Sequence, residues 1–402
     1  MNNKIVVSID LMGGDYSPLA PVKALELIQE TLHYSNCSFI LHGNSDAKKL
    51  LESSNISKDL YIFNLTNTEV SADDNPLDIM RGKKNNSSMQ LSIEDVSQKR
   101  AHVAVSSGNT GALMALSIRI LGCINGIKRP AIVGTIPTKR GKCVMLDLGG
   151  NLECDEKMLL QFALMGSCFA KIILSQENTK NINDNLLNSH KILNKNNFHD
   201  KNEEHLIYNI KQNNDISDYN PTVALLNVGV ESNKGRNTEK KAFDLLQKSN
   251  LNFIGCIEGH HIIEGNADVI VTDGYTGNVV LKSAEGVSNY IRDILKLSVE
   301  KNLISKIGGF FLSSSIKQNM EKIRPDKNNG AMFVGLNGII VKSHGGSKSE
   351  GIANAIKTAI MLAENHVNER IINEINCIDF IDKIKNSSVK LLNMLRFNDT
   401  PN

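Results

Sequence analysis

Tryptophan is absent from the sequence, and aromatic residues make up only 5% of its 402 residues. A protein that stacks nucleic-acid bases on aromatic side chains needs more of them. We therefore expect no nucleic-acid partner. The formal net charge of +2 favours neither an acidic nor a basic partner.

Cysteine patterning also excludes common site types. The seven cysteines include no C-x-x-C pair and no cysteine–histidine spacing of the zinc type. A scattered, odd set fits reduced thiols in the cytoplasm. The first residues, MNNKIVVSIDLMGGD, show no signal-peptide pattern, and no apolar run approaches the roughly twenty residues of a membrane span. We expect a cytoplasmic protein without a bound metal.

The histidines do not change that expectation. His190, His199 and His205 are scattered through a polar stretch, which is typical of solvent-facing side chains. His260 and His261 are adjacent, and adjacent side chains point to opposite sides of an extended chain. We interpret this pair as part of a polar loop.

Apolar runs alternate with helical patterns from the start of the chain. Ile5–Ile9, Phe39–Leu41 and Tyr61–Phe63 read as buried strands, and Val22–Leu32 reads as a helix. This β-α-β alternation predicts an α/β fold with a mostly parallel sheet. We treat residues 1–402 as one domain.

Turns that contain glycine or asparagine follow the predicted strands. Such a turn opening a helix offers free N–H groups to an anion, and ligands gather at the carboxyl ends of strands in open α/β sheets. We expect these turns to line one cleft that suits a phosphate or a developing oxyanion. They are Gly13-Gly14-Asp15, Gly108-Asn109-Thr110-Gly111, Gly149-Gly150-Asn151, Gly277-Asn278 and His344-Gly345-Gly346-Ser347.

A basic turn precedes one of the predicted helices. Arg81, Lys83 and Lys84 cluster beside Ser87 and Ser88, which can cap that helix. The cluster could bind an anion or be a solvated basic turn. From this stretch alone, the solvated turn is favoured.

Three further segments differ from the alternating pattern. Residues 176–220 are rich in Asn and Lys and read as a partly disordered surface insertion. Residues 286–326 predict a helical hairpin with an apolar tip at Gly308-Gly309, and 366–402 predict a helical tail. The tip could contact a membrane surface or, equally, a dimer partner or the core. Its candidate membrane-contact residues are Ile307, Phe310, Phe311 and Leu312.

These turns also occur as an ordered series of motifs that resembles the PlsX-type phosphate acyltransferases. The resemblance covers nearly the whole chain apart from the insertion and the tail. The matching residues include Met12-Gly13-Gly14-Asp15, Asn75-Pro76 with Arg81, Ser107-Gly108-Asn109-Thr110-Gly111-Ala112, Arg129-Pro130-Ala131, Leu146-Asp147 with Gly149 and Asn151, Gln161-Phe162-Ala163, Leu225-Leu226-Asn227 with Gly229, Glu231, Lys234 and Gly235, Thr272-Asp273-Gly274, Gly277-Asn278-Val279 with Lys282, and Ser343-His344-Gly345 with Ser347.

The resemblance implies a three-layer α/β/α sandwich with a Rossmann-like sheet, related to the phosphotransacetylases. It implies transfer of a fatty acyl group from acyl-acyl carrier protein to inorganic phosphate. It further implies a homodimer on the inner face of the membrane, which supplies acyl-phosphate to the acyl-phosphate:glycerol-3-phosphate acyltransferase of phospholipid synthesis. The hairpin corresponds to the region that the family is thought to lay on the bilayer.

The same reaction can be argued from its chemistry. Phosphate is an anion near neutral pH and a thiol is a good leaving group, so positioning and oxyanion stabilisation matter more than acid–base help. As a hypothesis, Lys282 and His344 bind phosphate or the oxyanion, Asn278 donates a hydrogen bond, and Asp273 orients Lys282. The candidate substrate-binding residues are Asn109, Thr110, Gly111, Asn151, Arg81, Gly277 and Ser347.

Some positions depart from the family pattern. Lys348 stands where the family often has Asp, which puts an acid's role there in doubt, and Gly150 stands where Ala is usual. The segment from Asn328 to Phe333 is looser than the family's Gly-Gly-Ala segment, and the insertion is longer than usual. The phosphotransacetylases have Arg where this chain has His344.

Two other functions remain as alternatives. A dehydrogenase on a similar sheet would use the glycines for a dinucleotide, but no G-x-G-x-x-G follows the first strand, so we expect no cofactor. A non-catalytic membrane scaffold would need only the hairpin, and it would leave the repeated polar turns unexplained.

Overall fold

The computed structural model describes residues 4–31, 37–194, 219–322, 324 and 329–376. Its strands coincide with the apolar runs, because a strand covered on both faces must be apolar throughout. They are β1 (Ile5–Asp10), β2 (Cys37–Gly43), β3 (Tyr61–Leu65), β4 (Val103–Ser106), β5 (Ala131–Thr138), β6 (Gly141–Leu146), β7 (Thr222–Leu226), β8 (Asn252–Ile257), β9 (Val269–Val271), β10 (Ala331–Val334) and β11 (Ile339–Lys342).

Helices separate most of these strands. Several begin at a polar residue whose side chain accepts a hydrogen bond from the first turn, such as Asn44, Ser87 and Asp273. The helices are α1 (Leu19–Thr31), α2 (Ser45–Ser53), α3 (Pro76–Met80), α4 (Ser88–Ser97), α5 (Thr110–Leu121), α6 (Glu156–Asn194), α7 (Asn237–Gln247), α8 (Gly259–Glu264), α9 (Gly274–Glu300), α10 (Leu303–Lys322) and α11 (Ser349–Glu364).

The strands form one sheet in the order β3-β2-β1-β4-β11-β10-β5-β6-β9-β7-β8. The pairs that involve β10 and the β5–β6 pair are antiparallel, whereas the other pairs of described strands are parallel. The predicted mostly parallel sheet is confirmed. Because β5 and β6 are antiparallel, β6, β9, β7 and β8 run opposite to β1–β4 and β11.

This reversal places the carboxyl ends of the two halves at opposite edges of the sheet. We call the edge where β1, β4 and β11 end the His344 edge, after the loop that follows β11. We call the edge where β6 and β9 end the Asn151 edge. The sequence predicted that all five turns line one cleft. The turns belong to two edges, because the sheet direction reverses between the first and second groups of turns. The single cleft stays a prediction.

Helices cover both faces of the sheet, as the predicted three-layer α/β/α sandwich requires. On one face α1, α6 and α11 pack through buried residues such as Leu25, Phe162 and Ile356. On the other face α4 and α5 pack through Met89, Ile93 and Leu113. Burial of these apolar faces is the main stabilising contribution to the sandwich.

The predicted helical hairpin is present as α9 and α10, but its turn lies at Lys301-Asn302. The prediction that Gly308-Gly309 forms the tip is wrong, because both glycines lie inside α10. A Cβ on Gly309 would lie 2.5 Å from Cγ1 of Val299 on α9. Gly309 therefore allows the two helices to approach closely instead of turning the chain.

Helix α6 continues to Asn194, so residues 176–194 of the predicted insertion are helical. Residues 195–218 of the predicted insertion lie outside the described residues.

The sequence predicted no apolar run as long as a membrane span. By length and composition Glu156–Ser175 resembles such a span, but 72% of its apolar stretch is buried. A core helix has the same character, and Phe162 and Phe169 are fully buried here.

The predicted helical tail begins as expected. Residues 367–376 are helical, and Val367, Ile371 and Ile375 pack into the core. The remainder of the predicted tail, 377–402, lies outside the described residues. The loose segment around Asn328–Phe333 overlaps β10, a strand that was not predicted.

Candidate active site

Glycines bring the loops of the His344 edge into contact. A Cβ on Gly13 would lie 2.5 Å from the backbone nitrogen of Gly108, so the loops after β1 and β4 meet only if this residue is glycine. The Asp15 N–H donates to the carbonyl of Gly345 at 3.0 Å, which joins the loop after β11. Three of the predicted turns therefore lie together at this edge.

A buried carboxylate fixes the first of these loops. Asp10 accepts hydrogen bonds from the backbone N–H groups of Met12 and Gly13 at 3.0 and 3.2 Å. It also accepts from the hydroxyls of Ser88 and Ser106 at 2.6 and 2.7 Å. Both oxygens of Asp10 are thus engaged in holding the loop.

His344 presents an N–H donor at this edge. Its Nδ1 accepts a hydrogen bond from the Gly346 N–H at 3.1 Å, so the proton of the neutral ring lies on Nε2. Nε2 is 3.9 Å from a carboxylate oxygen of Glu285 on α9. The ring is therefore oriented with its donor towards α9.

One side chain, Asn329, holds the loop that carries His344. Its amide oxygen accepts the His344 N–H at 3.0 Å, and its NH₂ donates to the hydroxyls of Ser343 and Ser347 at 2.8 and 2.9 Å. Ser347 was predicted to bind substrate. It is buried and bonded to Asn329, so its visible contact supports the loop.

Lys282 and His344 share Glu285 as a neighbour. Its ammonium pairs with Glu285 at 2.8 Å, and its side chain is 54% exposed. An exposed pair of this kind contributes little stability and can exchange for another anion. Helix α9 carries these residues from the Asn151 edge to the His344 edge, since eight helical residues from Gly277 to Glu285 span about 12 Å.

The predicted role of Asp273 is wrong. Asp273 caps α9 by accepting the Thr276 N–H at 2.7 Å, and it pairs with Arg236 instead of orienting Lys282. Burial acts to raise the pKa of Asp273, but the hydrogen bonds from Arg236 and Thr276 outweigh burial and lower it. The sequence could not reveal this pair because its members are 37 positions apart.

Sequence reasoning missed Lys342, the last residue of β11. This lysine is buried, and its Nζ donates to the carbonyl of Ser107 at 3.3 Å and to the carbonyl of Ser343. Burial lowers the pKa of Lys342 to about 8, with Asp10 opposing and Lys282 reinforcing that shift. The available signal was a lysine ending an otherwise apolar strand.

At the Asn151 edge, Asp147 organises the loop after β6. Its carboxylate accepts the N–H groups of Gly149, Gly150 and Asn151 at 3.2, 2.9 and 2.7 Å. The Asn151 side-chain amide donates to Asp147 and to the Pro130 carbonyl, at 2.9 and 2.8 Å. Burial raises the pKa of Asp147 despite these bonds. Asn151, predicted to bind substrate, therefore uses its amide within the protein.

The start of α9 packs directly on this loop. A Cβ on Gly277 would lie 1.9 Å from the Asp147 carbonyl oxygen, so only glycine fits there. Asn278 is exposed next to Gly149. Gly277 and Asn278 are thus at the Asn151 edge, opposite the edge where His344 lies.

The first turn of α5 lies at the His344 edge, where Thr110 and Gly111 are exposed. Their binding of substrate stays a prediction. Asn109 caps α5 through its amide oxygen at 3.0 Å, and its NH₂ donates to the carbonyls of Ala72 and Asp74. The predicted donation from Asn109 to a substrate is therefore not supported, because both of its donors and its acceptor bind the protein.

Arg81 lies exposed at the end of α3. Two neighbouring cations of the basic turn are paired locally: Lys83 with Asp78 at 2.7 Å and Lys84 with Asp74 at 2.9 Å. These pairs favour the solvated-turn interpretation.

The polar loop predicted around His260 and His261 is instead the short helix α8. The two rings lie 3.9 Å apart between centroids, and with Glu264 they could hold a metal ion. The opposite orientation predicted for this pair is thus wrong. Nδ1 of His261 accepts the Glu258 N–H at 3.1 Å and so caps α8, which places the neutral-ring proton on Nε2.

Sequence comparisons identify close relatives. Residues 5–191 and 211–370 match the family described as fatty acid synthesis protein. A phosphate acyltransferase from Neorickettsia sennetsu is 38% identical over 386 residues, covering 94% of this chain and 99% of the relative. A phosphate acyltransferase from the Wolbachia of Brugia malayi is 37% identical over 385 residues, covering 94% and 99%.

Structural comparisons agree on the fold. A phosphotransacetylase from Staphylococcus aureus has a TM-score of 0.51 and 14% identity, covering 90% of this chain and 94% of that chain. A phosphotransacetylase from Streptococcus pyogenes has a TM-score of 0.53 at 14% identity, with the same coverage. At this identity the likeness supports a shared fold.

Proposed function

Because this chain belongs to the phosphate acyltransferase family, and is therefore an acyltransferase of lipid synthesis, we propose that its donor is acyl-acyl carrier protein. The acyl group passes to inorganic phosphate, and the acyl-phosphate product supplies phospholipid synthesis. The observation that carries this proposal is the placement of Lys282, His344 and Lys342 around the loops of the His344 edge.

The reaction develops negative charge on two atoms, the carbonyl oxygen and the leaving sulfur. A phosphate oxygen attacks the thioester carbonyl carbon, the C–S bond breaks, and the carrier thiolate leaves and takes a proton. The intermediate carries an oxyanion, which preorganised N–H donors stabilise. We assign this stabilisation to His344 Nε2–H and to Lys282.

Glu285 fits this assignment as the residue that Lys282 contacts before substrate binds. It lies between Lys282 and His344, at 2.8 and 3.9 Å from their nitrogens. A bound phosphate can take over the Lys282 ammonium, because the exposed pair is weak. Glu285 would then bias His344 towards donating from Nε2.

The donor can be tested by trapping acyl-phosphate with hydroxylamine. The enzyme is incubated with phosphate and either long-chain acyl-acyl carrier protein or the matching acyl-CoA. We expect hydroxamate from the carrier-protein thioester and little from acyl-CoA. Efficient product from acyl-CoA alone would contradict the proposed donor.

We further propose that the protein is cytoplasmic and binds the inner face of the membrane through α10. Phe310 and Phe311 are 76% and 78% exposed, and Ile307 and Leu312 are also exposed. Lys301 and Lys306 flank these residues and can meet anionic headgroups. On the membrane the product would pass to the acyl-phosphate:glycerol-3-phosphate acyltransferase, and the protein would act as a homodimer.

Flotation with vesicles that contain anionic lipid tests the membrane proposal. We expect Phe310→Ser/Phe311→Ser to lose most vesicle binding while activity in solution is kept. The control is Ile62→Ser/Leu65→Ser, which alters exposed apolar residues on β3. Equal binding by both double variants would contradict a role for α10.

A further inference from the structure

Lys342 is a buried cation that lacks a carboxylate partner at ion-pair distance within the described part of the chain. Buried charges are costly unless they are paired. The nearest buried acid, Asp10, already accepts four hydrogen bonds from Met12, Gly13, Ser88 and Ser106. The ammonium therefore keeps an uncompensated charge.

The hydrogen bonds of Lys342 leave part of the ammonium available. An ammonium has three N–H donors. Two of them reach the carbonyls of Ser107 and Ser343, where β4 and β11 end. Carbonyl oxygens fix the position of the ammonium without neutralising it, so one donor and the full charge remain for a ligand.

The position of the Lys342 ammonium indicates which kind of anion can bind there. Lys342 lies in the strand beneath the His344 loop, and its charge interacts with that of Lys282. Three donor groups from β11, its following loop and α9 thus converge at one edge. A compact anion with several oxygens can contact all three, whereas a single oxyanion cannot.

We propose that Lys342 is a phosphate-binding residue that holds the inorganic phosphate from beneath the His344 loop. This inference rests on the proposed function, which assigns phosphate as the nucleophile. It adds to that function a residue that binds phosphate. Lys282 and His344 complete the contacts to phosphate, and they also face the thioester.

A pH dependence follows from this position. The charged groups around the Lys342 ammonium are Asp10, Asp15 and Lys282. Because the pKa of Lys342 is about 8, the ammonium loses its proton as the pH rises above that value. Phosphate binding by the wild-type protein should weaken about tenfold between pH 8 and pH 9.5.

Calorimetric titration with inorganic phosphate tests the proposal on the full chain. We expect Lys342→Met to weaken phosphate binding about 10- to 100-fold and to remove the pH dependence. The matched control, Lys49→Met, changes a lysine that is 75% exposed on α2 and should bind phosphate as the wild type does. Unchanged phosphate affinity in Lys342→Met would overturn the proposal.

Thermal unfolding separates binding from a structural role. Lys342→Met also loses the hydrogen bonds to the Ser107 and Ser343 carbonyls, so a change in Tm reports this structural contribution. If Lys342 only supported the fold, the variant would bind phosphate as the wild type does at a temperature below its Tm. If the variant does not fold, the wild-type pH profile decides, and a flat profile from pH 8 to 9.5 would overturn the proposal.

Acyl-phosphate formation is assayed separately from phosphate binding. If the enzyme forms acyl-phosphate but Lys342→Met binds phosphate as the wild type does, only this inference is refuted. If Lys342→Met weakens phosphate binding but the wild-type protein forms no acyl-phosphate, only the proposed function is refuted.

Discussion

Buried aspartates shape both edges of the sheet. Asp10 and Asp147 each follow or end a strand and accept several backbone N–H groups of the next loop. Asp273 accepts one backbone N–H, that of Thr276, at the start of α9. A carboxylate with two oxygens can satisfy donors that a turn leaves unpaired. The motifs that resemble the family are therefore partly motifs of loop architecture, and their asparagines serve the same purpose.

Lys282 carries the central catalytic prediction, and its exposed ammonium contacts Glu285. Lys282→Ala should lower kcat/KM for phosphate about 10²- to 10³-fold, because a donor to the developing oxyanion is lost. Steady-state kinetics with saturating acyl donor measures this change. Lys296→Ala, an exposed lysine on the same helix, is the control and should remain near wild type. Wild-type kinetics for Lys282→Ala would remove it from the mechanism.

A second residue-scale prediction concerns stability. Asp95 is buried and accepts hydrogen bonds from Ser8 and His42 at 2.7 Å each, and from Arg100. Burial acts to raise the pKa of Asp95, but these hydrogen bonds outweigh burial and lower it. A lowered carboxyl pKa stabilises the fold at neutral pH, and the stabilisation is lost as the pH falls below the ordinary value of about 4.

Asp95→Asn should therefore lower the free energy of unfolding at pH 7 by about 2–3 kcal/mol, since three donors lose an ionised acceptor. Urea unfolding at pH 7 and at pH 3.5 measures the difference between variant and wild type. We expect the difference to shrink at the lower pH. A constant difference would show that the charge of Asp95 is not responsible.

At the scale of elements, the hairpin illustrates how a glycine pair can be misread. Gly-Gly is typical of turns, and the sequence placed the tip there. The structure uses only one of the two, Gly309, and uses it for helix contact. Local sequence cannot distinguish these uses, because the contact is made with Val299 on the preceding helix.

The two glycines provide a matched test. Gly309→Val should separate α9 from α10, because its Cβ would lie 2.5 Å from the stiff, branched side chain of Val299. Gly308→Val meets nothing within 4 Å and should leave the hairpin intact. Hydrogen exchange of the hairpin amides should be faster in Gly309→Val only. Equal exchange in both variants would contradict close packing at Gly309.

At the scale of the whole molecule, most strands and helices could be predicted because apolar runs and helical periodicity are local properties. Ile5–Asp10, Cys37–Gly43 and Tyr61–Leu65 lie where the sequence indicated. The direction of each strand is not a local property. The antiparallel β5–β6 pair reverses half of the sheet, and an apolar run does not reveal the direction of its strand.

The same reversal divides the predicted site residues between the two edges of the sheet. Lys282 and His344 both lie near Glu285, because α9 is long enough to cross between the edges. Asn151, Gly277 and Asn278 belong to the opposite edge. Lys342 was missed because a lysine at a strand end usually points to solvent, and only the fold shows that this one is buried.

The central claim is that phosphate is bound and attacks at the His344 edge. A crystal structure of the protein with phosphate, checked by the anomalous signal of arsenate in its place, tests this claim most directly. We predict the anion within hydrogen-bond distance of Lys342 and Lys282, beside His344 Nε2. An anion bound instead at the Asn151 edge, against Arg236 or Asn278, would contradict the account.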